Sequence, residues 1–83
     1  MAWNPPAWTS GDRIRKAREA AGLEQRALAE ATGLNKNTIS NVEKSAFPTK
    51  ESTFRLIAQV LAEALAARPD QVLAWLRDGS LVD

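Results

Sequence analysis

Apolar positions recur along the chain at three- and four-residue spacings, interrupted by Gly, Pro and amide residues. That pattern predicts helices throughout and no strand. Thr9 and Asp12 stand at capping-box spacing, so a first helix begins there and runs to about Ala21, with Gly22 as its stop. Ile14, Ala17 and Ala21 give it a thin apolar stripe, and Leu23 then anchors the chain against the core. A second helix covers about 25–32, Gly33 takes the bend, and Asn35 is a good N-cap for a third helix over about 36–44. Leu28, Ala29, Leu34, Ile39 and Val42 fall in one buried seam across that pair. Residues 45–52, SAFPTKES, read as a loop punctuated by Pro48. Ser52 or Thr53 then caps a fourth helix over about 53–67, with Phe54, Ile57, Leu61 and Leu65 on one side and Leu56, Val60 and Ala64 beside them. Pro69 suits the first turn of a fifth helix over about 69–78, which Gly79 ends and whose apolar face is Val72, Trp75 and Leu76. Residues 1–8, MAWNPPAW, cannot start a helix because Pro5 and Pro6 fix φ and remove donors. They read as an extended arm, with Trp3 and Trp8 folding back on a single domain over 9–83; an arm that reaches DNA or a second subunit is the sharper alternative. The fold class predicted is all-α, a compact five-helix domain.

The third helix is divided by chemistry. Its apolar side belongs to the seam, while Lys36, Asn37, Ser40, Asn41 and Lys44 fall on the opposite face at helical neighbour spacing. An ordinary solvated face is the plain reading of such a row. Two short helices folded about a glycine, with an amide-rich second member, favour the sharper one: a reading head for the DNA major groove.

The 83 residues suffice for one domain. A chain of this size buries only about 60% of its unfolded surface, so its stability is modest unless it associates. No cysteine and no histidine are present. Disulfides, thiolate catalysis, zinc fingers and the commonest general base are therefore excluded, and no metal or cofactor is expected. Ser40 and Lys44 lie four apart, but no oxyanion pocket or second domain supports a catalytic dyad, so no enzyme activity is expected. No apolar run approaches the roughly 20 residues needed to span a membrane, and the N-terminus lacks a signal peptide's order. The net charge of +1 conceals an asymmetry. Residues 13–50 hold eight basic side chains against four acidic ones, and residues 51–83 hold three against five. One end suits phosphates and the other suits solvent or a partner.

The run G-L-x-Q-x-x-L-A-x-x-x-G-L-x-x-x-x-I-S-x-x-E at Gly22–Glu43, and W-L-x-x-G at Trp75–Gly79, resemble the lambda-repressor and Cro type of helix-turn-helix domain. The resemblance spans roughly residues 10–79. It implies a five-helix, sequence-specific binder of double-stranded DNA: a small phage or mobile-element repressor, cytoplasmic in a bacterial host, working on a pseudo-palindromic operator. By the same resemblance Lys36, Asn37 and Asn41 touch base edges, and Gln25 contacts a backbone phosphate. Thr38, Ser40 and Lys44 are further phosphate contacts or flanking support. Arg18 and Glu43 match a salt bridge between the first helix and the end of the third. The chemistry is compatible, since Asn can bond adenine N6 and N7 together and Lys can donate to guanine O6 or N7. The chain departs from the family at Glu24, where a Ser, Thr or Asn cap is usual, and at Ser45, where a glycine often ends the third helix. The fourth helix also has several extra residues.

The last two helices carry more apolar side chains than one small core needs, with Leu81 and Val82 following them. A self-complementary homodimer interface is expected there, with Val60, Leu65, Val72, Trp75 and Leu76 as its candidates. The competing reading is an antitoxin or antirepressor-type interaction module whose C-terminal helices bind a different protein.

Overall fold

The computed structural model describes residues 9–44 and 49–79. The arm with Trp3 and Trp8, Ser45, Pro48, Leu81 and Val82 lie outside the described residues. Five helices follow in order: α1 Ser10–Ala20, α2 Gln25–Thr32, α3 Lys36–Glu43, α4 Glu51–Leu65 and α5 Pro69–Asp78. The all-α expectation holds.

Local chemistry sets most of the helix ends. Thr9 and Asp12 form a reciprocal cap on α1: the Asp12 N–H donates to Thr9 Oγ1 at 3.1 Å, and the Thr9 N–H donates to Asp12 Oδ2 at 3.0 Å. The donated Thr9 N–H also holds the Asp12 carboxyl below its ordinary value, with the Thr9 hydroxyl and the nearby Arg15 and Arg13 charges adding to the effect. Between α2 and α3 the chain turns at Gly33, whose φ of 76° lies in the left-handed region where a β-carbon is costly. Asn35 then caps α3, its Oδ1 accepting the Asn37 N–H at 2.7 Å.

The bounds of α4 differ from the sequence expectation. It starts two residues earlier, at Glu51, with Lys50 in the N-cap position and no side-chain capping bond. Ser52 and Thr53 thus sit inside the first turn, where Glu51 already places a negative charge at the positive end of the helix dipole. At the other end Ala66 turns into the left-handed region at φ 54°, and Ala67 N–H donates back to Ala62 O at 2.8 Å. The helix closes there at a cost of about 1–2 kcal/mol for a non-glycine residue.

The core is built from all five helices. Ile14, Leu28, Ile39, Ile57, Leu61 and Leu76 are fully buried, with Ala17, Ala29, Val42, Phe54, Ala58, Ala62 and Val72 completing the cluster. Each large side chain buried in this way contributes about 1.5–3 kcal/mol. Leu34 and Leu23 pack against the cluster while remaining half-buried, so the seam across α2 and α3 is less closed at Leu34 than its spacing implied. Two dimer candidates are corrected here. Leu76 is 0% exposed and Val72 is 8% exposed, so neither is free to meet a second chain. Their face of α5 is turned toward α1 and α4 instead, the most extensive interhelical packing being that of α4 with α5.

Arg13 provides a link that sequence reasoning missed. Its Nε donates to Leu76 O at 3.2 Å and its Nη2 to Arg77 O at 3.0 Å. A guanidinium from the first turn of α1 therefore satisfies carbonyls at the C-terminal end of α5, where the helix dipole also favours a cation.

Candidate nucleic-acid interface

The candidate site is the outer face of α3, and the features beneath it determine its rigidity. Ile39 and Val42 are 0% and 2% exposed, so one side of this two-turn helix is fixed in the core. On the other side Lys36, Asn37 and Lys44 are exposed, while Thr38, Ser40 and Asn41 are half-buried. Asn37 and Asn41 are one helical turn apart and therefore neighbours on that surface. Lys36 opens the helix, and Lys44 is its C-cap.

The C-terminal end of α3 is tied down by a buried ion pair. Arg18 Nε lies 2.7 Å from Glu43 Oε2, and its Nη2 donates to Glu43 Oε1 at 3.2 Å, a two-pronged contact between α1 and α3. Arg18 also donates from Nη1 to Leu23 O at 2.8 Å, which holds the turn before α2. Gln25, half-buried as the first residue of α2, donates from Nε2 to Glu43 Oε1 at 3.1 Å. This last bond was not anticipated. One carboxylate thus gathers α1, α2 and α3 at a single point. Glu24, just ahead, makes no side-chain cap on α2.

Among the described residues the exposed arginines and the lysines differ in their pairing, and Lys16 and Lys50 share the unpaired state of the two lysines at the ends of α3. Arg15, Arg26, Arg55, Arg68 and Arg77 each lie within 4.0 Å of a carboxylate, at exposed positions where such pairs largely cancel one another's field. Lys36 and Lys44 have no carboxylate partner among the described residues. Positive charge is therefore left uncompensated at both ends of α3, beside the two asparagines.

The dimer candidates separate into two groups. Val60 is half-buried against the core, and Leu65 and Trp75 lie at a groove of about 400 Å³ between α1, the end of α4 and α5. Leu65 is 36% exposed, and Leu56, on another part of α4, is 43% exposed. No helix of the described residues is long and apolar enough to cross a membrane.

Comparison with known proteins gives a consistent result. A family model described as a helix-turn-helix domain matches residues 11–75. Among solved structures, the P22 c2 repressor protein in complex with synthetic operator 9T in the presence of Tl+ is similar, at 26% sequence identity and a TM-score of 0.67, covering 89% of this chain and 100% of that one. No curated protein matches. With five helices in this order, a glycine turn before an outward polar α3, and a family model covering most of its length, the chain belongs to the helix-turn-helix domain family in its lambda-repressor-like form.

Proposed function

We propose that this protein is a sequence-specific, double-stranded-DNA-binding transcriptional regulator, a small repressor of the phage or Cro type that reads the major groove with α3. The observation that carries this reading is the outward row Lys36–Asn37–Asn41–Lys44, exposed except at the half-buried Asn41 and backed by the buried Ile39 and Val42. An outward row of donors and acceptors on a helix that cannot rotate is what direct readout of base edges requires. The operator complex of the similar P22 c2 repressor supports the same reading. Asn37 and Asn41 pair with base edges, and Lys36 donates to a guanine. Lys44, Thr38, Ser40 and Gln25 hold the phosphates, setting register and most of the affinity. Arg18 and Glu43 are structural, holding the end of α3.

The regulator acts as a homodimer joined around Leu65 and Trp75. Their partly exposed apolar surface and the groove beside them support this assignment. Two copies of α3 then stand about 34 Å apart and read a pseudo-palindromic site. Selection of bound DNA from a random pool at near-physiological salt, with light scattering on the free protein, tests both statements. A symmetric consensus and a dimer mass are expected. Recovery of no consensus refutes sequence-specific regulation, and a monomer that acquires a different protein partner favours the interaction-module alternative.

A further inference from the structure

We infer that Glu43 is a positioning residue for DNA binding: it fixes the Gln25 amide so that its nitrogen, rather than its oxygen, is presented to a backbone phosphate. The inference rests on the DNA-binding reading above and deepens it.

A primary amide is nearly symmetric in shape but opposite in chemistry at its two ends. Which end faces outward is decided by what the other contacts. Here the decision is made by a carboxylate that is 4% exposed. An ionised carboxylate only accepts, so Glu43 Oε1 can bind the Gln25 side chain through Nε2 alone, at 3.1 Å. One hydrogen on that nitrogen is then committed, and the second remains as an oriented donor. Phosphate oxygens also only accept. A Gln25 amide turned the other way would set oxygen against oxygen at the phosphate.

The carboxylate is itself immobilised. Arg18 grips both of its oxygens, at 2.7 Å and 3.2 Å, and is held in turn by Leu23 O at 2.8 Å. Glu43 is therefore held in place by Arg18 independently of Gln25, and its charge-assisted bond fixes the amide's orientation. A buried negative charge thereby aids the binding of a polyanion, because Arg18 neutralises it and the amide transmits only orientation.

The test replaces the ion pair with apolar groups, Arg18→Met together with Glu43→Leu, which fill the space without leaving an unpaired charge. Circular dichroism establishes folding, and fluorescence titration follows binding to the selected duplex and to a scrambled one. The doubly substituted protein is expected to bind both duplexes about tenfold more weakly, matching Gln25→Ala alone. Adding Gln25→Ala to it should change affinity less than about twofold, because the contact is already lost. Native-like binding by the double variant overturns the inference, as does a full Gln25→Ala penalty in both backgrounds. Should the double variant not fold, amide spectra of the native protein decide. One Gln25 side-chain proton should be shifted downfield in the free protein, and the other should move on adding duplex. Two stationary protons overturn the inference. A native protein that binds neither duplex overturns the DNA-binding reading itself, which separates the two failures.

Discussion

Glu43→Ala sets a buried ion pair against an exposed one of nearly equal length. Arg18–Glu43 and Arg77–Glu51 are 2.7 Å and 2.8 Å apart, so distance alone would rank them together. Exposure separates them: the side chains are 14% and 4% exposed in the first pair and 44% and 44% in the second. Alanine at position 43 strands the Arg18 guanidinium where water cannot replace its partner, and it also leaves the Gln25 amide without an acceptor. Breaking such a pair from one side costs about 3–5 kcal/mol. Arg77→Ala, in water on both sides, costs about 0–1 kcal/mol.

The total stability expected of a domain this size is about 4–12 kcal/mol, so the first change removes a large share of it and the second very little. At about 4–8 °C per kcal/mol, Glu43→Ala should lower Tm by roughly 12–40 °C, and Arg77→Ala by less than about 8 °C. Thermal unfolding followed by circular dichroism measures both. Repeating it near 1 M salt, where the screening length falls to about 3 Å, adds an independent criterion. The Arg77 contribution should vanish there, and the Glu43 contribution should persist. Two variants melting within a few degrees of each other, or a Glu43 penalty abolished by salt, would refute the reasoning from burial.

Asn37→Ala should cost about 1–3 kcal/mol on the selected site and little on random DNA, whereas Lys44→Ala should weaken all sequences alike and flatten the salt slope by about one unit; titrations at several salt concentrations separate the two roles. Gly33→Ala should destabilise the fold by about 1–2 kcal/mol in denaturant titrations, purely through its φ of 76°, because an added β-carbon would meet nothing within 4 Å. Folding lowers the Asp12 carboxyl, so its contribution is present above the ordinary carboxylate value and is lost as pH falls through the lowered one. Asp12→Asn should therefore make the acid limb of the Tm–pH curve shallower, and an unchanged limb counts against the cap. Leu65→Lys should shift the light-scattering mass toward monomer, and Leu56→Lys, away from the α1–α5 groove, should leave it unchanged.

What could be read from the chain follows the range of each interaction. The α1 cap joins residues three apart and the α3 cap joins residues two apart, so residue type and local spacing locate both. The polar face of α3 was legible for the same reason, since its members share one short helix and the 3.6-residue repeat assigns their side. The start of α4 was not, because Ser52 and Thr53 are both good caps and the choice of register falls to the packing of Phe54, Ile57 and Leu61. Nor does the apolar pattern distinguish Leu76, at 0% exposure, from Leu65, at 36%, because both helices carry broad apolar faces and only their docking on each other and on α1 decides which part is covered. The contacts the sequence did not reveal join residues far apart in the chain: Arg13 to the carbonyls of Leu76 and Arg77, and Gln25 to Glu43; the equally remote Arg18–Glu43 pair was expected only through the family resemblance. Polar side chains of this kind carry no periodic signal, and each has many alternative partners until the backbone is placed. The groups proposed to touch base edges therefore lie on one helix and can be recognised early, whereas the full set that holds this helix in position, Arg18, Gln25 and Glu43, comes from α1, α2 and α3 together, and its Gln25 member emerges only from the folded chain.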